Sequence, residues 1–184
     1  YLPFPDIKIN FSKEVNICNL SFRYPNNNKN ILQDINLTIN NGDSIGIIGK
    51  TGEGKSTLVD LLCGLLQPHK GKILVDNDDI QKNIKSWQKK IGYVPQNTYL
   101  IDDTIRENII FGKQIDKNTD ENLVNSIKLA QLDKLISKLP EGLNTVVGDR
   151  GTRLSGGQVQ RIGIARAIMN NAQVLVFDEA TSAL

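Results

Sequence analysis

The sequence predicts an α/β fold with an antiparallel β-subdomain at its start and a helical subdomain in its second half. Three observations carry that prediction. Residues 15–24 and 31–39 alternate apolar and polar side chains, the period of half-buried strands. Residues 44–48 and 174–177 are short, nearly continuous apolar runs, as in strands buried on both faces. Between these runs apolar residues recur at helical spacing, and strands interleaved with helices pack as α/β layers.

Pro25 and the asparagines at 26–28 turn the chain between the first two strands, and Asn41-Gly42 is a turn signal after the second. Leu58, Leu61, Leu62 and Leu65 set a helix over residues 57–66, which Pro68 and Gly71 end. Residues 72–75 read as a further strand, with Asn77-Asp78-Asp79 as its turn. Thr104 with Glu107 fits a capping box that opens a helix through Ile109. Residues 118–132 and 133–139 read as two more helices, broken before Pro140-Glu141-Gly142. Ser155 opens an amphipathic helix through Met169.

The 184 residues suffice for one core, or for one core with a small appended lobe. The net charge of +2 is spread along the chain, without the basic stripe of a nucleic-acid binder. No apolar run approaches the roughly 18 residues that span a bilayer. Cys18 and Cys63 are too few for a four-ligand zinc site and suggest no disulfide framework, so they read as reduced thiols. The single histidine, His69, falls in a turn and reads as exposed.

The chemistry lies in short motifs. Gly49-Lys50-Thr51-Gly52-Glu53-Gly54-Lys55-Ser56 fits a phosphate-binding loop and stands where one must, after a strand and before a helix. Its glycines let backbone N–H groups converge on phosphates, and the helix N-terminus adds partial positive charge. Lys55 reaches the β- and γ-phosphates and the Ser56 hydroxyl ligates Mg²⁺. Gly49, Thr51, Gly52, Glu53, Gly54, Lys55, Ser56 and Thr57 are the expected nucleotide contacts here. A carboxylate beside phosphates repels, so Glu53 is expected to point outward to solvent. Residues 174–177 end in Asp178-Glu179, two acids at a strand's C-terminal edge. There Asp178 meets Mg²⁺ through water and Glu179 polarises the attacking water.

Leu154-Ser155-Gly156-Gly157-Gln158 is a glycine turn capping a helix, and it also resembles the signature motif of ABC transporters. The resemblance runs from Val15 to Leu184 and implies a P-loop NTPase core. In the family the signature is presented to the γ-phosphate held by the opposite subunit, which adds Ser155, Gly157 and Gln158 to the nucleotide contacts. ATP and Mg²⁺ are then the implied ligands, and a second cassette, paired as a homodimer, the implied partner. Tyr24, in Phe22-Arg23-Tyr24-Pro25, matches the aromatic that stacks on adenine, although a strand-end tyrosine packed on the sheet is the plainer reading. Gln96, in Tyr93-Val94-Pro95-Gln96, matches the glutamine that reaches Mg²⁺ and the attacking water, with a plain polar loop residue as the alternative.

Residues 145–153 and 102–112 are similar to segments of exporters whose membrane and ATPase domains share one polypeptide. The resemblance therefore implies an ATPase that drives transport from the cytoplasmic face of the cell (inner) membrane. Its metal ligands are Ser56, Gln96 and Asp178, and its catalytic residues are Glu179, Gln96 and Lys55. The expected division is a linker over residues 1–12 and an ATP-binding cassette over 13–184, with the helical subdomain at about 97–165. The chain reads as an excised piece, C-terminally truncated: the family continues with an aspartate and a strand ending in a switch histidine. Taken alone it is expected to hydrolyse ATP negligibly. Soluble relatives of DNA repair carry a coiled coil or zinc module between the two glycine motifs, and neither is present. A tandem-cassette translation factor should lack Gly148-Asp149-Arg150-Gly151, and a P-loop kinase would lack the signature.

Overall fold

The first two alternating runs pair as an antiparallel hairpin, β1 (Glu14–Phe22) with β2 (Leu32–Asn40), in register from Glu14↔Asn40 to Phe22↔Leu32. The computed structural model describes residues 8–25, 27, 29–113 and 115–178, and these fall into two units that meet between Lys89 and Lys90.

In the first unit β1 also pairs antiparallel with β3 (Lys70–Val75), which pairs with the short β4 (Asp78–Asp79), giving the order β2-β1-β3-β4. Val15, Ile17 and Leu20 of β1 and Ile73 and Val75 of β3 are buried, as alternation requires. The β1–β2 register shifts after Ile17, where Asn19 sits at φ 46. Its N–H donates to Asn36 Oδ1 at 2.9 Å, and asparagine tolerates that left-handed backbone better than most residues. The phosphate-loop helix, α1 (Lys55–Leu62), starts and stops earlier than the leucine spacing suggests. Trp87, on α2 (Ile84–Gln88), is buried and donates its indole N–H to the Leu62 carbonyl at 2.7 Å, satisfying one of the orphan acceptors at the helix end.

Residues ahead of β1 join this unit. Ile9 and Phe11 are buried, and Phe11 meets Trp87 edge-on at 6.3 Å. The Asp76 carboxylate accepts from the Ser12 hydroxyl and from the N–H groups of Ser12, Lys13 and Glu14. Desolvation pushes its pKa up, but these hydrogen bonds outweigh it and hold the group at about 2.

In the second unit β5 (Ile91–Val94) pairs parallel with β6 (Val174–Phe177), from Ile91↔Val174 to Val94↔Phe177. The helices are α3 (Ile105–Ile109), α4 (Thr119–Leu129), α5 (Asp133–Ile136) and α6 (Gly156–Met169). Leu100, Ile105, Ile109, Leu123, Leu132 and Ile162 form the centre of its core. Gly92 lies so close to α6 that an added Cβ would come within 2.8 Å of the Ala167 carbonyl oxygen. Gln131, at φ 54, ends the α4 region before residue 132, which separates α4 from α5.

Two strand expectations are corrected. Residues 44–48 form no strand among the described residues, and Ile45, Ile47 and Ile48 are exposed, Ile48 to 94%. A buried strand needs ladder partners, and none of the described strands pairs with this segment. β6 is a strand, but it pairs on one edge only among the described residues, and Leu175 and Phe177 are exposed rather than fully buried.

Candidate functional site

The expected site residues fall on both units. On the first, the phosphate loop wraps through Gly52 (φ 86) and Gly54 (φ 90), conformations that favour glycine. Gly54 is the N-cap of α1 and brings no side chain to it, so the cap residue takes none of the first-turn N–H groups. A Cβ at Gly54 would lie 2.9 Å from Ile31 Cγ2 and 3.0 Å from Leu32 Cδ2. The loop backbone therefore rests on the start of β2. A cradle of N–H groups with a lysine inside it suits the phosphates of a nucleotide. Lys55 donates from Nζ to the carbonyls of Gly49 and Lys50, each at 2.9 Å.

Glu53 is exposed, as expected, but its carboxylate also bonds the loop: Oε2 accepts the Lys50 N–H at 2.8 Å. The contact is local: Lys50 lies three residues before Glu53, and Gly52 (φ 86) and Gly54 (φ 90) turn the chain on either side of it.

Tyr24 follows β1, with its ring edge-on to Phe22 at 5.0 Å and its hydroxyl 3.2 Å from Thr57 Oγ1. It is 40% exposed, so one part of the ring is packed while the rest is open to a base. The fold thus brings Tyr24 to the first turn of α1, beside the loop.

On the second unit, Asp178 follows β6. Its N–H donates to the Val94 carbonyl at 3.0 Å and its Oδ2 accepts from the Tyr93 hydroxyl at 2.9 Å. Gln96 lies exposed just beyond β5. Glu179 lies outside the described residues. Ser155 caps α6 in a complete capping box: its Oγ accepts the Gln158 N–H at 3.4 Å, and Gln158 Oε1 accepts the Ser155 N–H at 2.8 Å.

The two exporter-like segments meet. Thr104 and Val146 form an antiparallel bridge, the Ile105 N–H donates to the Thr145 carbonyl and the Val147 N–H to the Asp103 carbonyl, each at 3.0 Å. The Thr104 hydroxyl accepts from the Glu107 N–H, half of the capping box expected at α3, while the Thr104 N–H donates to Asp103 Oδ1 at 2.6 Å in place of the Glu107 side chain.

Sequence reasoning missed Tyr93, Asn108 and Arg166. Arg166, on α6, donates from Nε to the Asn108 carbonyl at 2.8 Å and from Nη1 to the Tyr99 carbonyl at 3.0 Å, and stacks 5.2 Å from the Phe111 ring centre. Asn108, fully buried, bonds Ile101 through both backbone groups. This clamp ties residues 99–111 to the signature helix. Its partners lie 58 and 67 positions apart, beyond the reach of local patterning.

The model of the ABC transporter family matches residues 32–182. The chain is 43% identical over 171 residues, 92% of its length, to a Staphylococcus aureus protein named for multidrug export as an ATP-binding/permease protein. It is 42% identical over all 184 residues to the toxin RTX-I translocation ATP-binding protein of Actinobacillus pleuropneumoniae. It spans 29% and 25% of those two proteins. Among solved structures it is similar to a bacterial Atm1-family ABC exporter with ATP bound, with a TM-score of 0.85 and 36% identity, over 100% of this chain and 32% of that one.

Proposed function

The chain belongs to the ABC transporter family as an exporter-type nucleotide-binding domain, and from that premise we propose that it binds and hydrolyses Mg-ATP to drive export. The observation that carries the proposal is the loop at residues 49–56. It opens α1 with N–H groups that the cap residue does not take, a lysine within it, and an aromatic beside the first turn.

Lys55 exchanges its contacts with the loop carbonyls for the β- and γ-phosphates. Tyr24 offers a ring face to adenine. Ser56, Gln96 and Asp178 are the residues to hold Mg²⁺, which supplies charge neutralisation on the phosphates. The Tyr93 hydroxyl fixes the Asp178 carboxylate by donating to one of its oxygens. Glu179 orients the attacking water. Ser155, Gly157 and Gln158 face the γ-phosphate of a second, identical cassette, so ATP joins the two head to tail.

The wider layout belongs to the same proposal. Residues 1–12 link to a transmembrane domain of the same polypeptide, residues 13–184 are the cassette, and about 97–165 its helical subdomain. The cassette works at the cytoplasmic face of the membrane. Among the described residues no helix is long and apolar enough to cross a membrane.

The test is Glu179→Gln in the full-length protein. Removing the carboxylate that orients water, and its repulsion of the γ-phosphate, should leave ATP bound and nearly unhydrolysed, with cassettes held in pairs. Crosslinking that finds no ATP-dependent pairing in the variant would count against the proposal.

A further inference from the structure

We propose that Glu53 is an anion built into the phosphate cradle, which an incoming nucleotide must displace before its phosphates seat. The inference rests on the nucleotide-binding reading above and adds a competitor inside that same site.

Three observations converge on Gly49 and Lys50. The Glu53 carboxylate accepts the Lys50 N–H at 2.8 Å, so it occupies one of the loop's own donors. A Cβ built on Gly49 would fall 2.7 Å from Glu53 Oε2, so the carboxylate end lies in the space that a side chain at 49 would take. Lys55 Nζ is bound to the carbonyls of Gly49 and Lys50, so the cation meant for phosphate is folded onto the same two residues. Gly52 (φ 86) and Gly54 (φ 90) turn the chain on either side of Glu53 and aim its side chain back across the loop.

The loop is thus closed on itself by one carboxylate and one ammonium. Hydrogen bonds to an ionised acceptor are stronger than neutral ones, so the Lys50–Glu53 contact is not a trivial one to exchange. A polyphosphate arriving a few ångströms from that carboxylate meets a like charge, weakened by the surrounding water but not cancelled. Nucleotide must therefore expel Glu53, and the protein binds more weakly than the bare loop would. The same contact keeps the free loop wound instead of leaving its donors to water alone. Glutamate at this position sets affinity; it does not supply it.

The experiment is calorimetric titration of the full-length protein with Mg-ATP and, separately, with inorganic tripolyphosphate, which probes the cradle without a base. Wild type is compared with Glu53→Gln, which keeps the shape and removes the charge, and with Glu53→Ala, which removes the competitor. Both variants should bind both ligands about 1.5- to 5-fold more tightly, the scale of one solvent-screened charge contact. The gain for Ala should be at least that for Gln. Affinities that stay unchanged or fall in either variant would overturn the proposal, because Glu53 would then be neutral or a helper. Lys55→Ala serves as the separate control. Wild-type binding that depends on Lys55 but is indifferent to Glu53 sinks this inference alone. Wild-type protein that binds neither ligand sinks the nucleotide-binding reading and this inference with it.

Discussion

Two glycine-rich turns open helices in this chain, and they leave those helices in opposite states. At α1 the cap is Gly54 in the left-handed region, with no side chain to take an N–H group. At α6 the cap is Ser155 in extended backbone, and Ser155 and Gln158 close a reciprocal box. Both helices start with the same orphan donors, so the difference lies in what the sequence supplies to meet them. A glycine cap leaves the first-turn N–H groups and the helix's partial positive charge available to an external anion. The serine cap takes the Gln158 N–H for itself and leaves the N–H groups of Gly156 and Gly157, the first two helical positions, without an intrahelical acceptor. Under the function proposed above, the first turn receives phosphate, and the second is a closed cap whose two remaining N–H groups meet an anion brought by a second cassette.

The hardest break of that contrast is Lys55→Ala. The loop would keep its glycines and its uncapped helix but lose the cation that charge-assisted contacts to phosphate require. Mg-ATP binding should fall below detection in titration calorimetry. Wild-type affinity in the variant would mean that the backbone cradle suffices and that Lys55 serves only the loop carbonyls it now touches.

Gly54→Ala should come next in size. Alanine at φ 90 carries backbone strain of about 1–3 kcal/mol. Its Cβ would also press on Ile31 and Leu32 at 2.9 and 3.0 Å, although both contacts are to side-chain ends that can yield. Weaker Mg-ATP binding together with a lower unfolding midpoint is the expected result. An unchanged midpoint would show that the loop relaxes without cost and that the glycine cap is not conformationally required.

The contrast also marks what could be read from sequence. Ser155 with Gln158 was legible because a cap is settled within three residues, and at Thr104 the N-cap was legible but not that Asp103 takes its N–H from Glu107. The alternating runs gave β1 and β2 because side-chain direction along a strand has period two. Residues 44–48 misled because an apolar run reports hydrophobicity, while burial depends on which strand lies alongside. The same holds for the open edge of β6. The exposure of Glu53 was legible from its charge, but its bond to the Lys50 N–H three residues away was not. The bond from Tyr93 to Asp178 spans 85 positions and exists only through the parallel pairing of β5 with β6, which no local pattern encodes. The site motifs were therefore visible as short strings, whereas the groups that hold them in place were not.

The smallest expected effect comes from making the two caps alike. Ser155→Ala removes the hydroxyl that accepts the Gln158 N–H at 3.4 Å but leaves the Ser155 carbonyl bonded to that N–H at 2.9 Å, and losing a serine N-cap costs about 1 kcal/mol. Ser155→Gly makes the α6 cap resemble that of α1 and should cost only a few tenths of a kcal/mol, because glycine is itself a tolerable N-cap. Global unfolding would blur so small a difference, so the reading should be local. Hydrogen exchange of the Gln158 amide should be faster by about 5-fold in the alanine variant, the factor equivalent to 1 kcal/mol, and by less than 2-fold in the glycine variant. Equal acceleration in both would show that the serine hydroxyl contributes nothing beyond the backbone geometry. No acceleration in either would mean that the Ser155 carbonyl, which accepts the Gln158 N–H at 2.9 Å, and the Gln158 side chain, bonded to the Ser155 N–H at 2.8 Å, hold the turn without the hydroxyl. In that event the two glycine-rich turns would differ in their fourth residue and not in their cap.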